Sequence, residues 1–146
     1  MTAEHDPPPA RALISEHRAL LALEAALRRH VSAVPQGREA RWRSDLAVRL
    51  AELRLRVEPH FAAEERSGLF ERLGDSDEPG ARRLHTEHAR LRAGLARVCG
   101  LAEAADVSDY VLADHVRELL DALVAHEAAE NEALTRHLDG SLAAAD

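Results

Sequence analysis

The feature that most constrains the fold is an apolar seam with helical spacing that is interrupted by histidine and glutamate. One seam consists of Leu46, Leu50, Leu53, Val57, His60 and Glu64, which are separated by 4, 3, 4, 3 and 4 residues. A second seam has the same spacings and joins Leu112, Val116, Leu119, Leu123, His126 and Glu130. Residues spaced in this way lie on one face of a helix. We therefore expect helices that bury these faces against one another, with polar side chains inside the core.

Breaks in the pattern divide the chain into four predicted helices, at about residues 9–33, 38–65, 81–101 and 108–140. The Pro-Gln-Gly sequence at 35–37 and the Gly-, Asp- and Pro-containing segment 74–80 predict loops, and Pro59 predicts a kink in the second helix. Short connections between amphipathic helices favour an all-α fold. We predict an antiparallel up-down-up-down four-helix bundle over residues 10–139, between a disordered or extended tail at 1–9 and a C-terminal tail at 140–146.

Composition limits the range of partners. The 146 residues are 46% hydrophobic but only 3% aromatic, which fits one helical domain. A net charge of -7 argues against nucleic acid or an anionic membrane surface as a partner, and no apolar run approaches the roughly 20 residues of a membrane span. Cys99 is the only cysteine, so we expect no disulfide framework and a reducing, cytoplasmic setting. The oligomeric state is left open.

Each of the two seams ends in a His-x-x-x-Glu pair. The pairs are His60/Glu64 and His126/Glu130. Residues four apart lie one turn above each other, so each pair can direct an imidazole nitrogen and a carboxylate towards one point. Spacing alone also fits polar residues that face solvent at the end of a bundle. A further observation must separate a metal site from a solvated face.

An internal repeat supplies that observation. The sequence Ser-Glu-His-Arg-Ala-Leu at 15–20 is echoed by Thr-Glu-His-Ala-Arg-Leu at 86–91, and the two His-x-x-x-Glu pairs echo each other. The repeat adds His17 and His88, each about two turns into its predicted helix. In an up-down-up-down bundle, the polar residues of all four helices then fall in one layer near one end.

This layer predicts a two-metal centre. Its six members are His17, His60, Glu64, His88, His126 and Glu130. Imidazoles and carboxylates on an apolar seam are costly to bury unless they are paired or bind metal. Nitrogen and oxygen donors without thiolate suit two transition-metal ions, with Glu64 and Glu130 bridging and the histidines terminal. Iron is the first choice, manganese and zinc are alternatives, and His85, one turn before His88, is a candidate fifth histidine ligand.

Other acidic residues near the layer receive a simpler interpretation. Glu16, Glu65, Glu87 and Glu127 are interpreted as solvated charges, with hydrogen bonding to a ligand histidine as the alternative. Glu24 interrupts the seam of the first helix where a leucine is expected. That seam is the least regular of the four.

The ordered set His17, His60-x-x-x-Glu64, His88, His126-x-x-x-Glu130 resembles the hemerythrin-like, or HHE cation-binding, domain. The resemblance covers about residues 10–139. It implies a non-heme di-iron centre with an oxo or hydroxo bridge and an open position for dioxygen or another small diatomic or anion. The chain departs from invertebrate oxygen carriers, which have His-x-x-x-His on the third helix and His-x-x-x-x-Asp on the fourth.

Three classes of function follow from this interpretation. The first is a protein that binds or senses dioxygen or another small molecule at an open iron position. The second is a di-iron enzyme that acts on peroxide or nitric oxide or in iron-sulfur repair. The third is a structural, metal-stabilised interaction bundle. Binding or sensing is the leading interpretation and the enzyme is the alternative; the six-ligand layer distinguishes both from the third class, but the sequence separates these two poorly because no substrate or partner motif is visible.

Overall fold

The computed structural model describes residues 10–36 and 40–144, so the predicted tail at 1–9 lies outside the described residues. Within this part of the chain every regular element is an α-helix, which confirms the predicted all-α class. The helices are α1 (Ala10–Ser32), α2 (Ala40–Arg66), α3 (Leu69–Gly74), α4 (Glu78–Glu103) and α5 (Asp109–Ala144). None of these described helices combines the length and the apolar character that a membrane crossing requires.

The four long helices pack through the seams that the sequence predicts. α1 contacts α2 and α5, and α4 contacts the same two helices. The apolar seam residues of α2 and α5 are buried, Leu50 and Leu123 completely so. The helical period of the sequence therefore identifies the core face correctly.

A short fifth helix, α3, is absent from the sequence prediction. Gly68, at φ 74°, separates α2 from α3, a backbone conformation that glycine adopts without a Cβ penalty. Leu69, Phe70 and Leu73 of α3 are buried. The predicted loop at 74–80 is correspondingly shorter, because α4 begins at Glu78, and α5 continues past the predicted end near residue 140 to Ala144.

Two apolar clusters occupy the interior. The larger cluster contains Leu20, Phe61, Leu91 and Leu123, among others. The smaller one consists of Leu13, Leu69, Phe70, Leu73, Ala81, Leu84 and Leu134. Along α1, α4 and α5 the predicted polar residues lie between a member of one cluster and a member of the other, and on α2 they lie between the larger cluster and the buried apolar residues of α3. The polar layer is therefore bordered by apolar side chains on both sides.

Because α3 closes the smaller cluster, truncating its apolar side chains should destabilise the protein. We expect Leu69→Ala to lower the free energy of unfolding by about 2–5 kcal/mol, since Leu69 is 1% exposed and its loss leaves a cavity. Leu55→Ala is a matched control, because Leu55 is 76% exposed and its truncation should cost less than about 0.5 kcal/mol. Urea unfolding followed by circular dichroism measures both, and equal effects would show that α3 does not contribute to the core.

Candidate metal centre

The structure brings together the six polar residues of the layer, from four different helices. Each of the six is at most 5% exposed: His17 from α1, His60 and Glu64 from α2, His88 from α4, and His126 and Glu130 from α5. Their potential ligand atoms form two groups, and within each group the atoms lie within 4.8 Å of one another. The groups can therefore hold metal ions.

The first group joins α1, α2 and α5. It consists of His17, His60, Glu64 and Glu130. Nε2 of His60 lies 2.9 Å from Oε1 of Glu64, one turn along the same helix. Nε2 of His17 lies 3.4 Å from Oε1 of Glu130, so this group brings two imidazoles and two carboxylates to one point.

The second group joins α4 and α5 and shares Glu130 with the first. It consists of His88, His126 and Glu130, with Nε2 of His126 2.9 Å from Oε2 of Glu130. Nε2 of His88 lies 3.7 Å from Oε2 of Glu130 and 3.8 Å from Oε1 of Glu64. Each carboxylate therefore faces histidines of both groups, an arrangement suited to bridging two ions.

All four histidines are oriented by a hydrogen bond at the opposite ring nitrogen. The Nδ1 atoms of His60 and His126 lie 2.5 Å and 2.6 Å from carboxylate oxygens of Glu16 and Glu87, respectively. A carboxylate at Nδ1 fixes the ring orientation and leaves Nε2 as the free lone pair that can bind a metal. The interpretation of Glu16 and Glu87 as solvated charges gives way to the alternative, contact with the ligand histidines.

The other two histidines are held in the same way by the residues that follow the layer glutamates. Nδ1 of His88 lies 3.2 Å from Oε1 of Glu65, and Nδ1 of His17 lies 2.6 Å from Oδ1 of Asn131. Asn131 was not identified from the sequence. Because Asn131 follows Glu130 as Glu65 follows Glu64, the internal repeat was the signal that could have found it.

Glu65 is itself held by a bidentate ion pair with Arg92. Nη1 and Nη2 of Arg92 lie 2.6 Å and 2.9 Å from the two oxygens of Glu65. The guanidinium lowers the pKa of Glu65 to about 2, so this carboxylate is charged and accepts the hydrogen bond that Nδ1–H of His88 donates. Phe61 covers the His88 ring, with ring centroids 3.9 Å apart and planes 7° from parallel.

Two residues differ from the sequence interpretation. His85, the candidate fifth ligand, lies outside both groups: its side chain is 58% exposed, and its ring stacks on Phe70 with centroids 4.8 Å apart. His85 is off the apolar seam, which explains why its ring lies outside both ligand groups, with Nε2 4.0 Å from Oε1 of Glu65. Glu127 is not a solvated charge, because it is 2% exposed and faces Glu24 across α1 and α5.

The inward-facing atoms test whether the layer fits metal ions. Among the described residues, Nε2 of all four histidines and both carboxylate oxygens of Glu64 and Glu130 are buried without a hydrogen bond of acceptable geometry, although the imidazole and carboxylate of each His-x-x-x-Glu pair lie 2.9 Å apart. Buried polar groups in folded proteins are otherwise almost always paired, and leaving one unpaired costs free energy. Four nitrogen and four oxygen donors that converge without a partner fit a pair of transition-metal ions.

The pKa values point the same way. Burial and the neighbouring Glu130 raise the pKa of Glu64 to about 12. Burial also acts on Glu130, but the imidazoles of His126, His17 and His88 outweigh it and hold the pKa of Glu130 well below its usual range. Two adjacent buried carboxylates cannot both ionise without compensation, so the metal-free protein keeps a proton on Glu64. A cation would take the place of that proton.

Burial keeps at least one ligand histidine in the form that binds metal. It lowers the pKa of His60, although the hydrogen bond with Glu16 opposes this effect. A neutral imidazole offers its free nitrogen lone pair to a metal ion, whereas a protonated one does not.

Comparison of the chain with models of known protein families, with curated proteins and with solved structures found no match.

Proposed function

We propose that the chain is a non-heme di-iron protein of the hemerythrin-like kind, which binds or senses dioxygen or another small molecule at an open iron position. The observation that carries the proposal is the pair of ligand groups sharing Glu130, with all four inward Nε2 atoms unpaired among the described residues. Manganese and zinc are the alternative metals. The arrangement we propose for the four long helices is an antiparallel up-down-up-down bundle, and the proposed setting is cytoplasmic, which a single cysteine favours.

The number of donors supports an open position. The first metal position would receive two imidazoles and oxygens from Glu64 and Glu130, and the second would receive two imidazoles and Glu130, with Oε1 of Glu64 3.8 Å from Nε2 of His88. Three or four protein ligands leave positions open on ions that commonly accept six. The remaining positions are free for a solvent bridge and an external ligand. When bound there, iron would supply one-electron redox chemistry and direct coordination of a small molecule.

The surroundings of the layer determine what can reach it. Apolar clusters border it on both sides, which excludes bulk water and favours small, weakly solvated ligands. A groove of about 600 Å³ between α1 and α2 is lined by apolar residues such as Leu20 and Pro59, and it reaches His60 and Glu16. This groove is the proposed route of entry, because it ends at the hydrogen bond that orients His60.

Azide binding tests the open position. In protein loaded with oxidised iron, azide should produce new ligand-to-metal charge-transfer bands, because an anion can coordinate directly where the protein leaves a site free. Zinc-loaded protein is the control, since zinc has no redox chemistry and should give no such band. No azide response in fully iron-loaded protein would mean that the ligand shell is closed, which favours the structural, metal-stabilised bundle.

Reduction followed by exposure to oxygen separates binding from catalysis. A stable, reversible change in the spectrum would support a binding or sensing protein. Rapid irreversible oxidation with turnover of peroxide would instead support the enzymatic alternative, in which the same centre acts on peroxide, nitric oxide or iron-sulfur clusters.

A further inference from the structure

Two buried carboxylates lie beside the metal layer but outside both ligand groups. Glu24 of α1 is 1% exposed and Glu127 of α5 is 2% exposed. The two carboxyl groups lie within hydrogen-bonding range of each other. Among the described residues, no group outside the pair donates a hydrogen bond to any of their four oxygens. Two buried acids that face each other in this way are costly unless something positive joins them.

The internal repeat shows that the fold does not need acids at these positions. When His17 is aligned with His88, Glu24 corresponds to Leu95, and when His126 is aligned with His60, Glu127 corresponds to Phe61. Leu95 and Phe61 are buried, at 2% and 1% exposure. One half of the molecule therefore fills this place with apolar side chains, and only the other half places two carboxylates there.

The basic groups closest to the pair are engaged elsewhere. The guanidinium of Arg28, one turn after Glu24, lies 2.9 Å from the carboxylate of Asp121 on the surface. His17 directs Nδ1 at Asn131 and Nε2 at Glu130. Both side chains lower the pKa of Glu24, but burial raises it by more, and neither forms an ion pair with Glu24 or Glu127. Oxygen-only donors of this kind are the preferred ligands of hard divalent cations.

We propose that Glu24 and Glu127 form a further cation site, which takes one hard divalent ion such as Mn²⁺ and joins α1 to α5 beside the His/Glu layer. Its oxygen-only donors distinguish it from the imidazole-rich groups, so the two kinds of site should prefer different metals. The cation would neutralise both carboxylates. It would also add positive charge next to His17 and Glu130, on one side of the layer only. The inference goes beyond the proposed function and does not depend on which small molecule the layer binds.

The experiment measures the number of Mn²⁺ ions bound per chain. The layer is first supplied with about two equivalents of zinc, an ion that accepts imidazole ligands readily. Free Mn²⁺ is then measured by electron paramagnetic resonance during a titration. We expect the wild type to bind about one additional Mn²⁺ per chain. The double variant Glu24→Leu/Glu127→Phe, which carries the side chains of the other half, should lose this equivalent. Glu118→Gln, whose side chain is 80% exposed, should keep it.

A second double variant, Glu24→Gln/Glu127→Gln, keeps the size of both side chains. It replaces the first variant in the titration if circular dichroism shows that the first variant is unfolded. Equal Mn²⁺ binding by the wild type and this variant would overturn the proposal and leave the two acids sharing a proton. The zinc count is a separate readout. Absence of bound zinc in the wild type would contradict the two-metal layer, whereas the Mn²⁺ difference between wild type and variant would still decide the Glu24/Glu127 site.

Discussion

Glu130→Ala should abolish metal loading at both positions of the layer, the largest loss we expect from any single substitution. Glu130 belongs to both ligand groups and lies within 3.7 Å of histidine nitrogens from α1, α4 and α5. Removing an outer partner of a metal ligand typically costs 10–100-fold in affinity, so removing a shared ligand should cost more than about 100-fold. Metal analysis after reconstitution and desalting measures the effect.

Glu132→Ala is the matched control for this substitution. Glu132 lies two residues further along α5 and is exposed, so it should retain full metal content. Circular dichroism must show that both variants are folded. Equal metal content in the two variants would contradict the assignment of Glu130 as a shared ligand.

Metal removal should destabilise the protein. The difference in free energy of unfolding between metal-loaded and metal-free protein should increase as the pH rises from about 7 to 9. At a free metal concentration of about 1,000 times the dissociation constant, each bound metal ion should add about 4 kcal/mol to the free energy of unfolding, or about 10 °C to the Tm. Thermal unfolding with and without chelator, at several pH values, measures both effects.

The sign of the pH effect follows from Glu64. Its pKa is raised from 4.5 to about 12 in the folded, metal-free protein. The folded state therefore keeps a proton that the unfolded chain loses above about pH 4.5, and the metal-free protein loses stability as the pH rises through this window. The pKa of Glu127, raised by burial to about 10, acts in the same direction. Metal binding displaces the proton of Glu64, so metal affinity rises with pH.

Glu64→Gln tests this explanation in the metal-free protein. Glutamine has nearly the same shape but no titrating proton, so the variant should lose less stability than the wild type between about pH 7 and 9. If the metal-free wild type instead gained stability over this pH range, the interpretation of Glu64 as a buried, protonated carboxyl group would be wrong.

The sequence predicted the core and the position of the layer because both depend on helical periodicity. Seam residues such as Leu50 and Leu123 are buried, and the polar residues of the same seams lie together. Periodicity predicts which face of a helix is buried, and the internal repeat indicates which polar residues lie at the same depth along the bundle. His85 is off the seam, and its ring correspondingly lies outside the layer.

What the sequence could not predict depends on contacts between helices and on short local turns. The repeat marks Asn131 as the counterpart of Glu65, and the sequence leaves contact with a ligand histidine open for Glu16, but only the packing of the helices shows which histidine each one orients. Helix α3 is only six residues long, too short for a periodic pattern to identify it. The burial of Glu24 was visible as an interrupted seam, but its partner Glu127 was assigned to the surface, because residue type alone favours exposure for glutamate.

The proposed two-metal centre, bridged by the shared carboxylate of Glu130, is best tested by iron analysis combined with Mössbauer spectroscopy of the reconstituted wild type. We expect about two irons per chain, with the oxidised iron present as magnetically coupled pairs. Uncoupled iron at one per chain or fewer, in folded protein, would rule out the two-metal centre.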